Sequence, residues 1–569
     1  MYIRQQAQQQ ILQELKKAVG KEFTPTVADL STPPDQKLGD FSFPCFTLAK
    51  GLRQNPSELA NEIAAKIGPK GFIRSIAAAG PYVNFFLEDG VFGGAVLEEI
   101  ASKGAAYGFS KAGEGKRIMV EFAQPNTHKD IHIGHLRNFF VGQELVDVLK
   151  AIGYEVIPAT YINDLGAHVA TCLWGIQHLH AGETPTKSER IPFLGKAYAD
   201  ATKAAEEDSS VKAEISAIYQ DLEQLRGPLV SLWKKTREWS LAFMRSVFKE
   251  AGLTLDVWYY ESDLVDRTKK LIEELIRNGI AIHSEGAWIV DLESEGLGVN
   301  LLVKTNGTLL YNAKDLALAI RKNEDYEPMR SLYVIDARQS LAMRQLFATL
   351  KKMGFQKELA HISYEFVTLK DGAMSSRKGN IVRYEALRDQ MIAGAREETK
   401  DRHPDWEEKK LEKAARALAF AAIRFGMLKQ DLDKVITFDP EEALSFDGCT
   451  GPYLLYSFAR IQSILKKGKK VKPIFSAKHL VAPVEHHLLS LLSQYPDVVF
   501  SVGSTYHLSA LPQHLFEISK AFSEFYEISP VLQAKSTELI AERLGLVKSV
   551  AQVLENGLRL LGIQPIKEM

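Results

Sequence analysis

The chain has 569 residues and a formal net charge of −1, with 46% hydrophobic and 25% charged residues. A single hydrophobic core stops growing at roughly 250–300 residues, so we expect several domains, each able to bury a core. The near-zero charge excludes a protein that binds nucleic acid through its overall charge, so local basic patches would have to hold any polyanion.

Cysteine usage and hydropathy indicate the compartment. No apolar run approaches the roughly 18–20 residues that span a bilayer, and residues 1–20 lack the apolar segment of a secretory signal. Cys45, Cys172 and Cys449 are far apart and form no CxxC pair, which is typical of a reducing compartment and offers no framework for structural zinc. We therefore predict a cytoplasmic protein with no membrane partner and no metal site of its own. We expect each cysteine to be a small buried hydrophobic residue.

Residues 1–112 mix helical and strand patterns and predict an α+β domain. Apolar residues at helical spacing within 1–20 indicate an amphipathic helix. Over 82–87, one set of alternate residues faces one side and the other set the opposite side, which predicts a strand. The two sets are Tyr82, Asn84 and Phe86, and Val83, Phe85 and Leu87. A glycine-rich stretch at 104–115 follows.

Strands and helices alternate over residues 113–400, which predicts a doubly wound parallel sheet of the Rossmann-like kind. Residues 181–215 are polar and rich in Ala, Lys and Glu, and we expect them to form a surface insertion. The predicted strands are 117–122, 154–162, 288–292, 299–304, 331–337 and 361–369. The two clearest helices are 134–153 and 312–322.

Residues 401–569 carry apolar residues at helical spacing throughout, which predicts an all-α helical bundle. The helical segments are 417–430, 452–467, 486–495, 515–529 and 537–563. The chain is thus expected to be an α/β multidomain protein with boundaries near residues 112 and 400.

The sequence HIGH at 132–135 follows the predicted strand that ends near Phe122 and opens a helix. Ligands of open parallel sheets bind beyond the carboxyl ends of the strands, and a helix N-terminus there offers free N–H groups to phosphate. Gly134 lets a nucleotide approach the backbone, and His132 and His135 can donate hydrogen bonds to phosphoryl oxygens. Two such histidines could equally cap the helix or bind a metal.

A second segment, AMSSRKGN at 373–380, extends this motif into a family resemblance. HIGH matches the ATP-binding motif of class I aminoacyl-tRNA synthetases, and AMSSRKGN resembles their KMSKS motif. A mobile positive loop of this kind stabilises charge on the leaving pyrophosphate. The resemblance implies a doubly wound catalytic domain that uses ATP with Mg²⁺. Ser376 stands in place of the second lysine of KMSKS, and Lys129 stands where many arginyl enzymes have a lysine just before HIGH. The residues that the resemblance assigns to ATP are Lys129, His132, Gly134, His135, Met374, Ser375, Ser376, Arg377 and Lys378.

Tyr311 and Asp315 lie four residues apart in a predicted helix, so they share one face and can line one pocket. A carboxylate in a cleft can hold a guanidinium through two parallel charge-assisted hydrogen bonds. Spacing alone favours the alternative, a surface aspartate on a solvated helix.

Four segments resemble arginyl-tRNA synthetases: PNTHK at 125–129, YINDLG at 161–166, YNAKD at 311–315 and YVIDARQ at 333–339. The resemblance implies that Asp315 reads the guanidinium of arginine and that Glu121, at the end of the first predicted parallel strand, holds its α-amino group. The remaining residues that it places at arginine are Asn126, His132, Tyr311 and Gln339, with Tyr161, Asn163 and Asp164 in the pocket without an assigned role.

Tyr453, Tyr456 and Arg460 lie on one stripe of a helix that Thr450 is predicted to cap. Aromatic side chains stack on unpaired bases and arginine binds phosphate or base edges, although an ordinary core stripe would look the same. The segment resembles the anticodon-binding domain of arginyl-tRNA synthetases, which places this stripe and Met569 near the anticodon. Five lysines within 466–472 could steer the polyanion.

The N-terminal segments 38–46 and 80–86 resemble the additional domain with which this family contacts the tRNA elbow. Tyr82 and Asn84 match the base-reading residues of that domain. The whole resemblance implies a monomer that activates L-arginine with ATP and transfers it to tRNA(Arg), giving AMP and pyrophosphate. A class I synthetase for lysine or cysteine, another nucleotidyltransferase with HxGH, and a non-catalytic RNA-binding relative are the alternatives.

Overall fold

The structure, a computed structural model, describes residues 1–20, 23–33, 35–370 and 382–569. These residues form two compact units. The first unit contains 1–109, 445–504 and 510–569, and the second contains 110–444 and 505–509. None of the helices in the described ranges is long and apolar enough to cross a membrane.

The N-terminal segment of the first unit is α+β, as predicted. Its sheet is antiparallel with the order β1-β3-β2, and Val83, Phe85 and Leu87 on β3 are fully buried, so the alternation in the sequence does mark a strand. The elements are α1 (Ile3–Val19), β1 (Phe41–Pro44), α2 (Phe46–Leu52), α3 (Pro56–Lys66), β2 (Ile73–Ala79), β3 (Tyr82–Leu87) and α4 (Asp89–Lys103).

The second unit is built around a five-stranded parallel sheet with helices, and the predicted doubly wound architecture is confirmed. Its elements up to the last strand of that sheet are β4 (Arg117–Glu121), α5 (Ile133–Ala151), β5 (Glu155–Ile162), α6 (Ala167–His178), α7 (Arg190–Glu207), α8 (Ser209–Glu223), α9 (Val230–Glu250), β6 (Val257–Tyr260), α10 (Val265–Arg277), β7 (Ile282–Ser284), β8 (Ala287–Asp291), β9 (Val299–Val303), α11 (Tyr311–Tyr326), β10 (Arg330–Asp336), α12 (Ser340–Lys352) and β11 (Glu358–Tyr364).

The order of the sheet is β11-β10-β4-β5-β6, so the chain builds to one side of β4 and later returns to build on the other side. The reversal of direction lies between β4 and β10. In an open parallel sheet, the carboxyl ends of the two strands at such a reversal diverge and leave a crevice for ligand.

Two of the predicted strands do not join the parallel sheet. The segments 288–292 and 299–304 form β8 and β9 of a separate antiparallel sheet, with the order β7-β8-β9. The pairing of β7 with β8 has a local cause, because Glu285 and Gly286 between them have φ angles of +49° and +81°. Positive φ at both central residues of a two-residue loop is typical of a hairpin, which requires antiparallel strands.

The predicted strand 361–369 is two strands. It ends as β11 at Tyr364, and β12 (Val367–Leu369) then pairs with β13 (Ile436–Phe438) outside the parallel sheet. Between them, the backbone N–H of Glu365 donates to the carbonyl of Leu432 at 2.8 Å, which turns the chain away from β10.

The segment 181–215 differs from the expected surface insertion. It contributes α7 and much of α8, and Phe193, Leu194 and Ala197 belong to the hydrophobic core of this unit. Gly175 on α6 permits this packing, because a Cβ at that position would collide with the carbonyl of Ala197. The polar composition therefore describes only the outer face of these helices.

The boundary predicted near residue 400 falls inside the second unit, whose main segment extends to Leu444. The cause is α14, whose buried apolar side packs against α5, with the guanidinium of Arg424 4.6 Å from the ring centroid of Phe140. The last elements of this unit are α13 (Tyr384–Arg402), α14 (Glu408–Leu428), β13 and α15 (Pro440–Leu444).

The remaining helices form the predicted bundle and complete the first unit. They are α16 (Gly451–Lys467), α17 (Pro483–Thr505), α18 (Ala510–Ile528) and α19 (Thr537–Leu560). Thr450 caps α16, since its hydroxyl accepts a hydrogen bond from the backbone N–H of Tyr453 at 3.2 Å. Cys45 and Cys172 are buried as expected, whereas the expectation for Cys449 was wrong, because it is half-buried.

Candidate active site

A cavity of about 480 Å³ lies beyond the carboxyl ends of β4, β5 and β10, where the order of the sheet reverses. The helices α11 and α12 supply its other walls. Residues chosen from the sequence meet around it although they come from distant parts of the chain. They are Glu121, Asn126, Tyr161, Asn163, Tyr311, Asp315 and Gln339.

Asp315 presents a carboxylate to this cavity from the second turn of α11. Burial raises the pKa of Asp315 to about 7, and the neighbouring Lys314 opposes that shift only in part. One turn earlier, Tyr311 is 48% exposed and lies at the mouth of the cavity. A carboxyl group whose charge is this poorly compensated will favour a ligand that carries a positive charge.

Two phenol groups in the cavity wall lack partners. The hydroxyls of Tyr161 and Tyr333 are buried and have no hydrogen-bond partner among the described residues. Buried polar atoms are usually satisfied, so a pair of unsatisfied hydroxyls near a carboxylate indicates that a polar ligand completes the site.

Glu121 is the last residue of β4, and its buried carboxylate forms an ion pair with Lys322 of α11. Its other oxygen accepts a hydrogen bond from the side-chain amide of Gln124 at 3.3 Å. The carboxylate therefore lies in the cavity wall with one oxygen strongly paired and the other weakly bonded.

Asp164 does not line the cavity, contrary to the prediction from YINDLG. Its carboxylate is fully buried and is occupied by Arg237 at 2.5 Å and by the backbone and hydroxyl of Ser262 at 2.9 and 2.7 Å. These contacts hold Asp164 just after β5, next to Asn163, whose backbone pairs with that of Asn126 beside the cavity.

The histidines of the HIGH motif lie at the N-terminus of α5. His132 is the N-cap residue, and its Nδ1 accepts a hydrogen bond from the N–H of Gly134 at 3.2 Å. The Nδ1 of His135 accepts one from the N–H of His132 at 3.1 Å. Burial is the main cause that lowers the pKa of His132 to about 4 and the pKa of His135 well below its ordinary value.

Both imidazoles are therefore neutral at pH 7, with the proton on Nε2, because each Nδ1 already accepts a hydrogen bond. Each ring can offer an Nε2–H donor at a helix N-terminus, where the dipole favours an anion. Helix capping and phosphate binding are thus compatible in this motif. His132 is not among the residues that line the cavity around Asp315.

Met374, Ser375, Ser376, Arg377 and Lys378 lie outside the described residues. The chain that follows them pairs with the HIGH segment, since Ile133 donates to the carbonyl of Val382 at 3.3 Å and Tyr384 to that of Ile131 at 2.8 Å. Lys129 is exposed, with its ammonium 5.3 Å from the ring centroid of Tyr198.

Comparison with known proteins identifies this arrangement. A family profile described as "tRNA synthetases class I (R), catalytic domain" matches residues 96–439. Profiles described as "Arginyl tRNA synthetase N terminal domain" and "DALR anticodon binding domain" match residues 5–87 and 454–569. The arginine–tRNA ligase of Bdellovibrio bacteriovorus is 36% identical over 575 residues, with 98% of each chain covered. The chain belongs to the arginyl-tRNA synthetase family.

Other similar proteins agree with this assignment. The arginine–tRNA ligase of Halothermothrix orenii is 32% identical, with 95% of each chain covered. The solved arginyl-tRNA synthetase of Thermus thermophilus superposes with a TM-score of 0.81 at 26% identity, over 99% of this chain and 100% of the other. That of Plasmodium falciparum, at 19% identity and a TM-score of 0.80, shares the fold over 99% of both chains. The predicted family is confirmed, and the lysine and cysteine enzymes are set aside.

In the helical bundle of this synthetase, the stripe on α16 is half-buried. Arg460 donates to the hydroxyl of Tyr456 at 2.6 Å, with its guanidinium 4.6 Å from the centre of that ring. The hydroxyl of Tyr453 lies 3.2 Å from that of Ser523 on α18. Part of the stripe therefore packs in the bundle while part remains accessible. The predicted basic run, Lys466–Lys472, has exposed lysines, and Met569 is half-buried.

The two residues that the family resemblance places at the tRNA elbow differ in exposure. Tyr82 is 40% exposed and packs edge-on against Phe46. Asn84 is only 4% exposed, and its amide oxygen accepts a hydrogen bond from Ser42 at 2.7 Å. Asn84 is thus buried and bonded within the sheet, and its contact with a base stays a prediction.

Sequence reasoning missed several residues of the site, and some left a signal. Asn138 donates to the carbonyl of Val334 at 2.7 Å and accepts from the N–H of Ala123 at 2.6 Å, so it joins β10 and β4 across the reversal. The sequence signal for Asn138 is its position three residues after the HIGH motif, on the same helix. Lys322 continues the spacing of Tyr311 and Asp315 along α11, but only the fold shows that Glu121 is its partner.

Proposed function

We propose that the protein is an arginine–tRNA ligase that joins L-arginine to tRNA(Arg) and converts ATP to AMP and pyrophosphate. The observation that carries the proposal is Asp315, an incompletely compensated carboxylate in a cavity at the reversal of a parallel sheet whose neighbouring helix begins with HIGH. The three widely spaced cysteines support a cytoplasmic location, and the family resemblance supports a monomer.

The amino acid is bound through both of its cationic groups. Asp315 receives the guanidinium in two parallel hydrogen bonds, and the planar fork of arginine suits that carboxylate better than the ammonium of lysine does. Glu121 receives the α-ammonium. Asn126, Tyr311 and Gln339 complete the polar wall of the pocket.

ATP binds at the N-terminus of α5, where Gly134 permits close approach and the neutral His132 and His135 donate through Nε2. Lys129 and residues 374–378 supply positive charge to the phosphates. Mg²⁺ arrives with ATP as its counter-ion; the described residues contain no cluster of three or more His, Cys, Asp or Glu side chains that could hold a metal.

The reaction has two steps. The carboxylate of arginine attacks the α-phosphorus and pyrophosphate leaves, giving arginyl-adenylate. A terminal ribose hydroxyl of tRNA then attacks the acyl carbon, and AMP leaves. The protein accelerates both steps chiefly by holding the reactants in line and by stabilising the charge that develops on phosphate.

Charging assays test the proposal directly. The full chain, total tRNA and ATP should give labelled arginyl-tRNA and little lysyl-tRNA when each labelled amino acid is supplied separately. Omission of ATP is the control. A protein that binds tRNA(Arg) but charges no amino acid would overturn the proposal and would instead be the non-catalytic relative.

Arginine binding should depend on the charge of Asp315. With the pKa of Asp315 near 7 in the empty site, arginine binding below pH 7 must displace a proton from the carboxyl group. The Kd should therefore fall by up to about tenfold per pH unit as pH rises to 7, and level off above it. Calorimetry at pH 6.5 in two buffers of different ionisation enthalpy would detect the released proton. A Kd that is constant from pH 5.5 to 8 would contradict this expectation.

The tRNA side is tested by Arg460→Ala. Loss of one stacking cation should raise the KM for tRNA by about 5- to 150-fold, the range for a contact of about 1–3 kcal/mol. The KM values for arginine and ATP should not change. Arg277→Ala, at an exposed position at the end of α10, is the matched control. An effect on the KM for ATP and none on that for tRNA would place the anticodon contact elsewhere.

A further inference from the structure

The ion pair between Lys322 and Glu121 forms part of the wall of the arginine cavity. Only 1% of the Lys322 side chain is exposed, and its ammonium contacts the Oε2 of Glu121 and lies 4.3 Å from the ring centroid of Tyr333. Glu121 and Tyr333 both line the cavity. The lysine is therefore behind the wall, while the carboxylate that it holds faces the ligand.

Stability alone does not explain such a pair. Removing two charges from water costs several kcal/mol per ion, and apolar residues of similar volume often stabilise a fold equally well or better. The neighbouring buried lysine, Lys314, has Glu261 at 2.7 Å, Glu223 at 3.1 Å and Tyr219 at 3.2 Å as partners. By contrast, Lys322 pairs with the carboxylate of Glu121, and Glu121 lines the proposed substrate cavity.

The helix α11 relates this pair to Asp315. Seven residues separate Asp315 from Lys322, which is close to two helical turns, so both side chains lie on one face about 10 Å apart along the axis. One rigid helix thus carries the group that meets the guanidinium and the group that holds Glu121. The distance between the two ends of the amino-acid site is fixed within a single element.

We propose that Lys322 is a positioning residue that orients Glu121 to receive the α-ammonium group of the substrate, an inference that rests on the proposed function. The ammonium of Lys322 holds Oε2. The Oε1 then stays directed at the cavity, where its weak contact with Gln124 at 3.3 Å is readily replaced by the α-ammonium. Recognition of the α-amino end therefore depends on a lysine that does not touch the substrate.

Two ligands separate this role from a general structural one. L-Arginine carries an α-ammonium, whereas 5-guanidinopentanoic acid has the same guanidinium, chain and carboxylate without it. In Lys322→Met, the Kd for L-arginine should rise by about 10- to 100-fold, the equivalent of one hydrogen bond to a charged group. The Kd for 5-guanidinopentanoic acid should stay as in the unchanged protein, so the ratio of the two constants collapses.

A double-mutant cycle supplies the decisive comparison. If Lys322 acts through Glu121, Lys322→Met should have little further effect on that ratio in a Glu121→Gln background. Lys322→Gln, which retains a donor but not the charge, should give an intermediate ratio and serves if the Met variant melts below the assay temperature. Equal loss of affinity for both ligands, or an undiminished effect in the Glu121→Gln background, would overturn the proposal.

The same titrations distinguish this inference from the function on which it rests. If the unchanged full-length protein binds neither ligand, the assignment of the cavity to arginine fails. If it binds both ligands and prefers L-arginine, yet Lys322→Met leaves the preference intact, only the role of Lys322 fails.

Discussion

Substitution of Asp315 by alanine should remove most arginine binding while ATP binding survives. Loss of one partner of a buried charge pair costs about 2–5 kcal/mol, so kcat/KM for arginine should fall by about 30- to 5,000-fold. The guanidinium would lose both parallel hydrogen bonds and would remain desolvated in a cavity whose hydroxyls cannot neutralise it. Charging kinetics at varied arginine and direct ATP titration would measure the two effects separately.

Two controls make this result specific. Asp315→Asn keeps the shape of the side chain but not its charge. Its kcat/KM for arginine should therefore fall as in Asp315→Ala, while its melting temperature should match that of the unchanged protein. Asp325→Ala removes another carboxylate of the same helix. This carboxylate pairs with Arg321 at 3.5 Å and does not line the cavity. It should leave arginine kinetics intact. Unchanged kinetics in Asp315→Ala would show that another group reads the guanidinium.

Most of the architecture could be predicted because it is encoded locally. The spacing of the apolar residues predicts α11 and the terminal bundle, and strand–helix alternation predicts the parallel sheet. The misassigned strands show where that logic ends. Periodicity identifies β8 and β9 as strands, but the antiparallel pairing of β8 with β7 follows from the two-residue loop at Glu285 and Gly286. The signal was present in turn chemistry rather than in hydropathy.

The convergence of the candidate site was predictable for a related reason. Residues that end parallel strands, or begin the helices after them, meet at one edge of the sheet whatever their separation in sequence. The direction of an individual side chain is not encoded in this way. Asp164 follows β5, as Asn163 does, yet it turns to Arg237 and Ser262. Asn84 shares a face of its strand with Tyr82, yet Asn84 is 4% exposed and accepts a hydrogen bond from Ser42, whereas Tyr82 is 40% exposed. Tertiary neighbours decide both cases.

Replacement of His132 by asparagine should reduce catalysis without destabilising the helix. Asparagine is a strong N-cap residue, so its side-chain oxygen can accept the N–H of Gly134 as Nδ1 does now. Its amide is shorter than the imidazole, so the Nε2–H donor to phosphate is lost. One such donor is worth about 10²- to 10³-fold in kcat. We therefore expect kcat to fall by that factor while the melting temperature and the KM for arginine stay close to their original values.

The pH profile separates a neutral donor from a cationic one. Because the pKa of His132 is about 4, its ring does not change charge between pH 6 and 8, and burial lowers the pKa of His135 in the same direction. At saturating arginine, kcat should show no step from these histidines in that range. A histidine on the antiparallel sheet, His283, supplies the control, since His283→Ala removes an exposed ring that packs on Trp288. If His132→Asn retains full kcat, the histidine serves α5 only as a cap, and phosphate must be held by the backbone N–H groups and the lysines.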